Sequence, residues 1–288
     1  MKICVVGLGL IGGSMAIDLK TKGHHIIGVD KSPSHIEKAL ELGLADEVHD
    51  LSNALQDADV IIIAVPVDAI ENVLVKVLDE MTPKAIAIDV GSTKQEICES
   101  VKTHTKRGRF VAAHPLAGTE FSGPTAAIPN LFGGKKNIIC EEDAIDEDAL
   151  DIALQIFSEI GMTNIFMNPD NHDMHMAYVS HLSHVSAFTL GLTVLDIEQD
   201  EKQIFNLAST GFESTVRLAK SSPSTWASIF NKNSTHLTKA LDSYISKLQE
   251  FKSAIENQDT QKMNALMDDA NDIKRVLKGI KLNVVKLS

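Results

Sequence analysis

The sequence predicts an α/β domain followed by an all-α domain, and three observations predict it. Short β-branched runs alternate with segments of helical periodicity through the first half of the 288 residues, a glycine cluster joins the first run to the first helix, and no convincing strand follows Pro169. Strands alternating with helices imply a mainly parallel sheet with crossover helices. At roughly 150 residues per domain, the length accommodates about two.

The predicted strands are Ile3–Val6, His25–Val29, Val60–Val65, Ala85–Val90, Phe110–Ala113, Asn137–Cys140 and Asn164–Met167. Segments such as Gly13–Lys20 and Ala69–Asp79 read as helices between them. No crossover helix separates Ala113 from Asn137, so an antiparallel edge is expected there. The acidic run Glu141–Asp151 reads as a solvated helix start. Beyond Pro169 the helical patterns span about 170–196, 202–220, 223–257 and 260–282, with Ser222-Pro223 as an N-cap followed by proline at the first helical position. The expected domains are 1–168 and 169–288.

Gly7-Leu8-Gly9-Leu10-Ile11-Gly12 follows the first strand directly and opens a helix, and Asp30 ends the second strand 18 positions after Gly12. That is the full context of a Rossmann-type dinucleotide site. Gly7 permits the tight turn, Gly9 lets the backbone approach a pyrophosphate, and Gly12 lets helix and strand pack closely. Unpaired amides at the helix start attract the phosphates. Asp30 would accept from the ribose hydroxyls and repel a 2′-phosphate, so NAD is favoured over NADP, with Lys31 partly offsetting that repulsion. Val65-Pro66 fits either a second cofactor contact or a proline that stops a strand.

Three further segments carry candidate chemistry. Asp89–Lys94, containing Ser92, leaves a strand and opens a helix, so its hydroxyls and amides face the same crevice edge. His114, at a strand's carboxyl end and followed by Pro115, can meet a nicotinamide-bound substrate or serve the structure alone. Ser180 and His184 share a helix face with Ala177, Ala187 and Gly191, a small-residue stripe suited to a ligand or a second helix. His172, His175, His181 and His184 invite a metal reading, but on one regular helix the first two point away from the last two, so no metal is expected.

Composition narrows the classes. Hydrophobic residues at 44% and charged residues at 23% are ordinary for a globular protein. A net charge of −12 argues against nucleic acid or a basic membrane surface as partner. Cys4, Cys98 and Cys140 are isolated and odd in number, which points to a reducing compartment. The apolar run at residues 3–7 lacks a signal-peptide pattern, and no apolar stretch approaches the ~18 residues of a membrane span, so a cytoplasmic protein is expected. The long apolar helical patterns after Pro169 favour a homodimer through that half.

Taken together, GLGLIGGS at Gly7–Ser14, DVGSTK at Asp89–Lys94, HPLAGTEFSG at His114–Gly123, LFGGK at Leu131–Lys135, SHLSH at Ser180–His184 and GFESTVRLA leading to Trp226 resemble the prephenate/arogenate dehydrogenase family of tyrosine biosynthesis. The resemblance covers nearly the whole chain and implies a nucleotide-binding domain followed by a helical dimerisation domain. It implies that His114 is the catalytic histidine on the substrate's ring hydroxyl and that Ser92 bridges that hydroxyl or His114 and the nicotinamide. Arg217 would bind a substrate carboxylate with help from His184, Glu120 would gate or order the pocket, and Trp226 would line it from its own or a neighbouring subunit. One departure stands out: the family's Phe-Arg-Asp-x-Thr-Arg reads Phe212-Glu213-Ser214-Thr215-Val216-Arg217 here.

The implied activity is NAD-dependent oxidative decarboxylation of prephenate. A two-domain dehydrogenase of a β-hydroxyacid or imino acid competes, as does a dinucleotide-sensing regulator without turnover. The His-Pro-x-Ala-Gly-x-Glu segment opposes the first, and the acidic charge opposes a DNA-reading regulator. Ending after helices, the chain is expected to carry no separate regulatory or mutase domain.

Overall fold

The computed structural model describes residues 1–198 and 210–275. Its strands are β1 (Lys2–Val6), β2 (His25–Val29), β3 (Glu47–Val48), β4 (Val60–Ile63), β5 (Ile86–Asp89), β6 (Phe110–Pro115), β7 (Lys136–Cys140) and β8 (Thr163–Met167). They form one sheet in the order β3-β2-β1-β4-β5-β6-β7-β8. The first six strands are parallel. β7 pairs antiparallel with β6 and β8 runs parallel to β7, so the expected antiparallel edge is a reversed pair of strands. β3 escaped the sequence reading because two residues are too few to show a period.

Strand order turns back at β1, with β2 on one side and β4 on the other. The crevice outside the carboxyl ends at such a switch point is where open α/β sheets bind ligands. The central strand, Val60-Ile61-Ile62-Ile63, is buried at every position because helices cover both faces of the sheet. One face packs on α1 (Leu10–Thr21), α2 (Pro33–Glu41) and α6 (Glu147–Glu159). The other packs on α3 (Leu51–Asp57), α4 (Val67–Glu80) and α5 (Gln95–Ser100).

Past β8 the described residues are helical: α7 (Pro169–Met176), a π turn at Ala177–His181, α8 (Leu182–Glu198), α9 (Thr210–Val216), a 3-10 turn at Arg217–Lys220, α10 (Pro223–Lys232), α11 (Ser234–Glu256) and α12 (Thr260–Asn271). The expected helical stretches 202–209 and 276–282 lie outside the described residues. The chain divides into two compact units, one of residues Met1–Ser234 and one that begins at Thr235. Within the first, Met176 and Ile229 join the core on the α4 side, and Lys232 Nζ donates to Glu71 at 2.9 Å and Glu96 at 2.7 Å, tying α10 to α4 and α5. In the second, Asp259 caps α12 by accepting from the Lys262 amide.

Two interruptions differ from the continuous helices expected. The π turn gives its segment one residue more than a regular α-turn holds, which rotates the downstream helix α8 back by about 100°. Asn233 bridges the two sides of this turn: its buried side chain donates to the Asp173 carbonyl at 2.7 Å and reaches His181 Nδ1 at 3.1 Å. The same Asn233, at φ −116° and ψ 29°, ends α10 and splits the single helix expected over 223–257.

Candidate active site

The glycine loop is shaped by three different demands. Gly7 has φ +98°, and a Cβ there would meet the Ala64 carbonyl oxygen at 2.5 Å. A Cβ on Gly12 would lie 2.0 Å from the Gly7 carbonyl oxygen, whereas one on Gly9 would meet nothing within 4 Å. Gly7 and Gly12 are thus required by packing, and Gly9 leaves an open approach to the start of α1. Those residues fit a dinucleotide pyrophosphate. Leu8 is fully buried, so it offers the crevice only its backbone, while Leu10 and Ile11 are half-buried against the core. The Leu8 amide donates to Asp30 Oδ2 at 2.9 Å, and Asp30 Oδ1 accepts from the Ser32 amide at 2.9 Å. Val65 is half-buried and the exposed Pro66 caps α4; both follow Ala64, whose carbonyl crowds Gly7, so this loop borders the glycine loop.

His114 stands near the end of β6, half-buried. Its Nδ1 lies 2.8 Å from His172 Nε2, and His172 Nδ1 lies 2.7 Å from Asp173 Oδ1. Asp173 in turn accepts from the Lys94 amide at 2.8 Å and the Gln95 amide at 2.9 Å, the free amides at the start of α5. Lys94 and Asp89 form an ion pair with both side chains fully buried, and Asp89 Oδ2 also accepts from the Gly91 amide at 3.0 Å. The loop carrying Ser92 is therefore pinned at both ends, at the same edge of the sheet as His114. Burial holds His114 well below the ordinary histidine range, and His172, Lys94 and His181 push the same way. Burial also lowers His172, against the pull of Asp173.

A second group surrounds Arg217, in the 3-10 turn after α9. Arg217 Nη1 lies 3.4 Å from Glu120 Oε2, and Arg217 is close enough to oppose protonation of His184. The His184 ring stacks on Trp226 with centroids 3.3 Å apart and planes at 21°. Its Nδ1 lies 3.1 Å from the Ser180 carbonyl oxygen, so Nδ1–H donates and Nε2 is left for a ligand. Burial lowers the His184 pKa. Trp226 thus packs on His184 of its own chain and reaches His181 edge-on at 6.0 Å. His181 and Asn233 connect the two groups.

Sequence reasoning did not single out His172, Asp173, Asn233, Asp89 or Lys94 for roles at the site. Asp89 and Lys94 sit in the quoted Asp89–Lys94 segment, but that they pair emerges only when β5 and α5 are folded. Among the described residues no three His, Cys, Asp or Glu side chains group as a metal site. Burial pushes the Cys4 and Cys140 thiols up to about 12, far from the thiolate a nucleophile needs.

The model of the prephenate dehydrogenase nucleotide-binding domain matches residues 15–166, and that of the prephenate dehydrogenase dimerization domain matches residues 168–269. A prephenate dehydrogenase of Bacillus subtilis is 30% identical over 279 residues, covering 94% of this chain and 74% of that protein. The structure of prephenate dehydrogenase from A. aeolicus in complex with hydroxyphenyl propionate and NAD+ superposes with a TM-score of 0.81 at 29% identity, covering 100% of this chain and 98% of that one. Synechocystis arogenate dehydrogenase gives a TM-score of 0.77 at 31% identity over 96% of this chain and 100% of that one. Among the described residues no helix is long and apolar enough to cross a membrane. With both domain models matched in succession over most of its length, the chain belongs to the prephenate dehydrogenase family.

Proposed function

We propose that this chain catalyses the NAD-dependent oxidative decarboxylation of prephenate to 4-hydroxyphenylpyruvate. The observation that carries the reading is His114, held half-buried at the carboxyl end of β6 on the crevice side of a glycine loop open at Gly9. Prephenate bears a ring carboxylate, a pyruvyl side chain and a hydroxyl on a cyclohexadiene ring. NAD, when bound, accepts a hydride from the hydroxyl-bearing carbon.

The chain's own residues do the rest. Neutral His114 accepts the hydroxyl proton as carbonyl character develops, a general-base role worth roughly 10²–10⁴-fold. The carbon–carboxylate electron pair then completes the aromatic ring, carbon dioxide leaves and the proton returns to oxygen. A base whose pKa lies below the usual histidine range is neutral, and so competent, across the neutral pH range. Ser92 orients the hydroxyl or His114 toward the nicotinamide, and Arg217 with His184 and Ser180 holds the substrate carboxylates. Glu120, 3.4 Å from Arg217, occupies that arginine until a carboxylate replaces it, and Trp226 walls the pocket through His184. Gly7 to Gly12, Asp30 and Val65-Pro66 bind NAD.

We place the domain boundary at 168/169, the assembly as a homodimer through the helical domain, and the enzyme in the cytoplasm. The dimerization-domain match supports the second of these. Arogenate, with an amino group in place of the keto group, is the competing substrate, given the Synechocystis likeness. Comparing kcat/KM on prephenate and arogenate, each with NAD and NADP, tests the assignment: higher efficiency on arogenate, or with NADP, would replace it.

A further inference from the structure

Behind the proposed base lies a chain of groups whose protons can be assigned one at a time. Asp173 is 2% exposed and accepts two backbone amides, from Lys94 and Gln95. An ionised carboxylate only accepts, so His172 Nδ1, 2.7 Å from Asp173 Oδ1, carries a proton and donates it. A neutral imidazole protonated on Nδ1 offers a lone pair at Nε2. That lone pair lies 2.8 Å from His114 Nδ1, which must then be the donor. His114 is left with one unprotonated nitrogen, Nε2.

We infer that His172 and Asp173 are positioning residues for the reaction: they hold His114 in its Nδ1–H tautomer, leave Nε2 as the base, and stabilise the imidazolium that forms when Nε2 takes the substrate's hydroxyl proton. The inference rests on the reading of His114 as that base. In the step the substrate O–H bond breaks and an Nε2–H bond forms, the carbon–hydrogen electron pair passes to NAD, and the proton returns to oxygen as carbon dioxide departs. Logic of this kind, a buried carboxylate fixing the tautomer of a histidine base, is general to acid–base sites; here a second imidazole stands between the two. Among the described residues, His181 and Lys94 also bear on His114, and Lys94 is paired with the buried Asp89. Asp173 is thus the negative group aligned with the charge that develops. Asn233 holds the dyad from outside it by donating to the Asp173 carbonyl.

The test combines variants with a measurement on the unaltered enzyme. Asp173→Asn keeps one of the two oxygens that accept from the α5 amides, sets an NH2 group in place of the other, and removes the charge. It should lower kcat roughly 10- to 150-fold, the worth of a charged hydrogen bond. It should also shift the acid limb of kcat/KM to lower pH, because the base loses a nearby negative group, while KM for NAD stays near wild type. A role confined to packing would lower activity without moving that limb. His172→Gln, whose amide oxygen can still accept from His114, should retain most of the activity, and His172→Leu should lose as much as Asp173→Asn. Folded Leu and Asn variants with wild-type kcat and an unmoved pH profile would overturn the inference. Histidine ¹⁵N chemical shifts, with the His114 signals assigned by their loss in His114→Asn, test it on the unaltered enzyme. A protonated Nδ1 and bare Nε2 on His114 are expected, and the reverse tautomer overturns it. Near-normal turnover in His114→Asn would instead remove the base reading, an outcome the tautomer measurement keeps distinct.

Discussion

Acidification should destabilise the fold through His181, and by an amount that can be calculated. The residue is 1% exposed, and its Nδ1 accepts from the Asn233 amide, so protonation would both charge a buried ring and break that hydrogen bond. Burial pushes its pKa from 6.5 down to about 4, with Asp173 opposing. Below pH 6.5 the unfolded chain binds a proton that the folded chain refuses until about pH 4, so stability falls as pH falls through that window. The loss from this one group is roughly 2 kcal/mol by about pH 5 and roughly 3 kcal/mol by about pH 4. His114 and His172, both lowered, act in the same direction, so the share of His181 has to be isolated by substitution. His181→Gln keeps an acceptor for Asn233 and never titrates. Urea unfolding followed by circular dichroism at neutral pH and at about pH 5 should show wild type losing roughly 2 kcal/mol more than the variant. Equal losses in the two proteins would show that His181 does not set this part of the pH dependence.

Steady-state kinetics on His114→Asn should show turnover reduced roughly 10²–10⁴-fold with NAD affinity nearly unchanged. Arg217→Ala should raise the prephenate KM roughly 10- to 150-fold with turnover reduced less, and Arg217→Lys should recover part of the loss. Its effect on folding stability should be small, since the Arg217 side chain is 53% exposed and an exposed ion pair contributes little. Asp30→Ser should shift cofactor use from NAD toward NADP, measured as the ratio of kcat/KM values, because it removes a ribose acceptor and a negative charge facing the 2′-phosphate. Light scattering at micromolar concentration should report a dimer.

The sheet was legible because its strands are apolar runs closed by turn residues, and each predicted strand of four or more residues lies within two residues of its place. β3 was not, since Glu47-Val48 owes its pairing to β2 rather than to any pattern of its own. The glycine loop, Asp30, His114 and Arg217 were legible as well, each sitting where a strand or helix ends. The environment behind His114 was hidden for a geometric reason. A regular helix turns His172 away from His181, and only the π turn at Ala177–His181, with Asn233 breaking the next helix, brings Asp173 and His181 onto one side chain. Helical periodicity assumes a constant turn angle, so a sequence pattern cannot reveal a one-residue change in it. The buried Lys94–Asp89 pair was hidden for a different reason: a lysine and an aspartate five residues apart read as solvated until the fold closes over them.

The coupling of NAD reduction to loss of the ring carboxylate as carbon dioxide carries the proposed reaction. It is tested most directly by incubating the enzyme with NAD and prephenate labelled in the ring carboxylate, while NADH absorbance and released labelled carbon dioxide are followed together. One carbon dioxide is expected for each NADH throughout the time course, with 4-hydroxyphenylpyruvate as the product and both signals falling together in His114→Asn. NADH formed without carbon dioxide, or turnover of a β-hydroxyacid and none of prephenate, would contradict it.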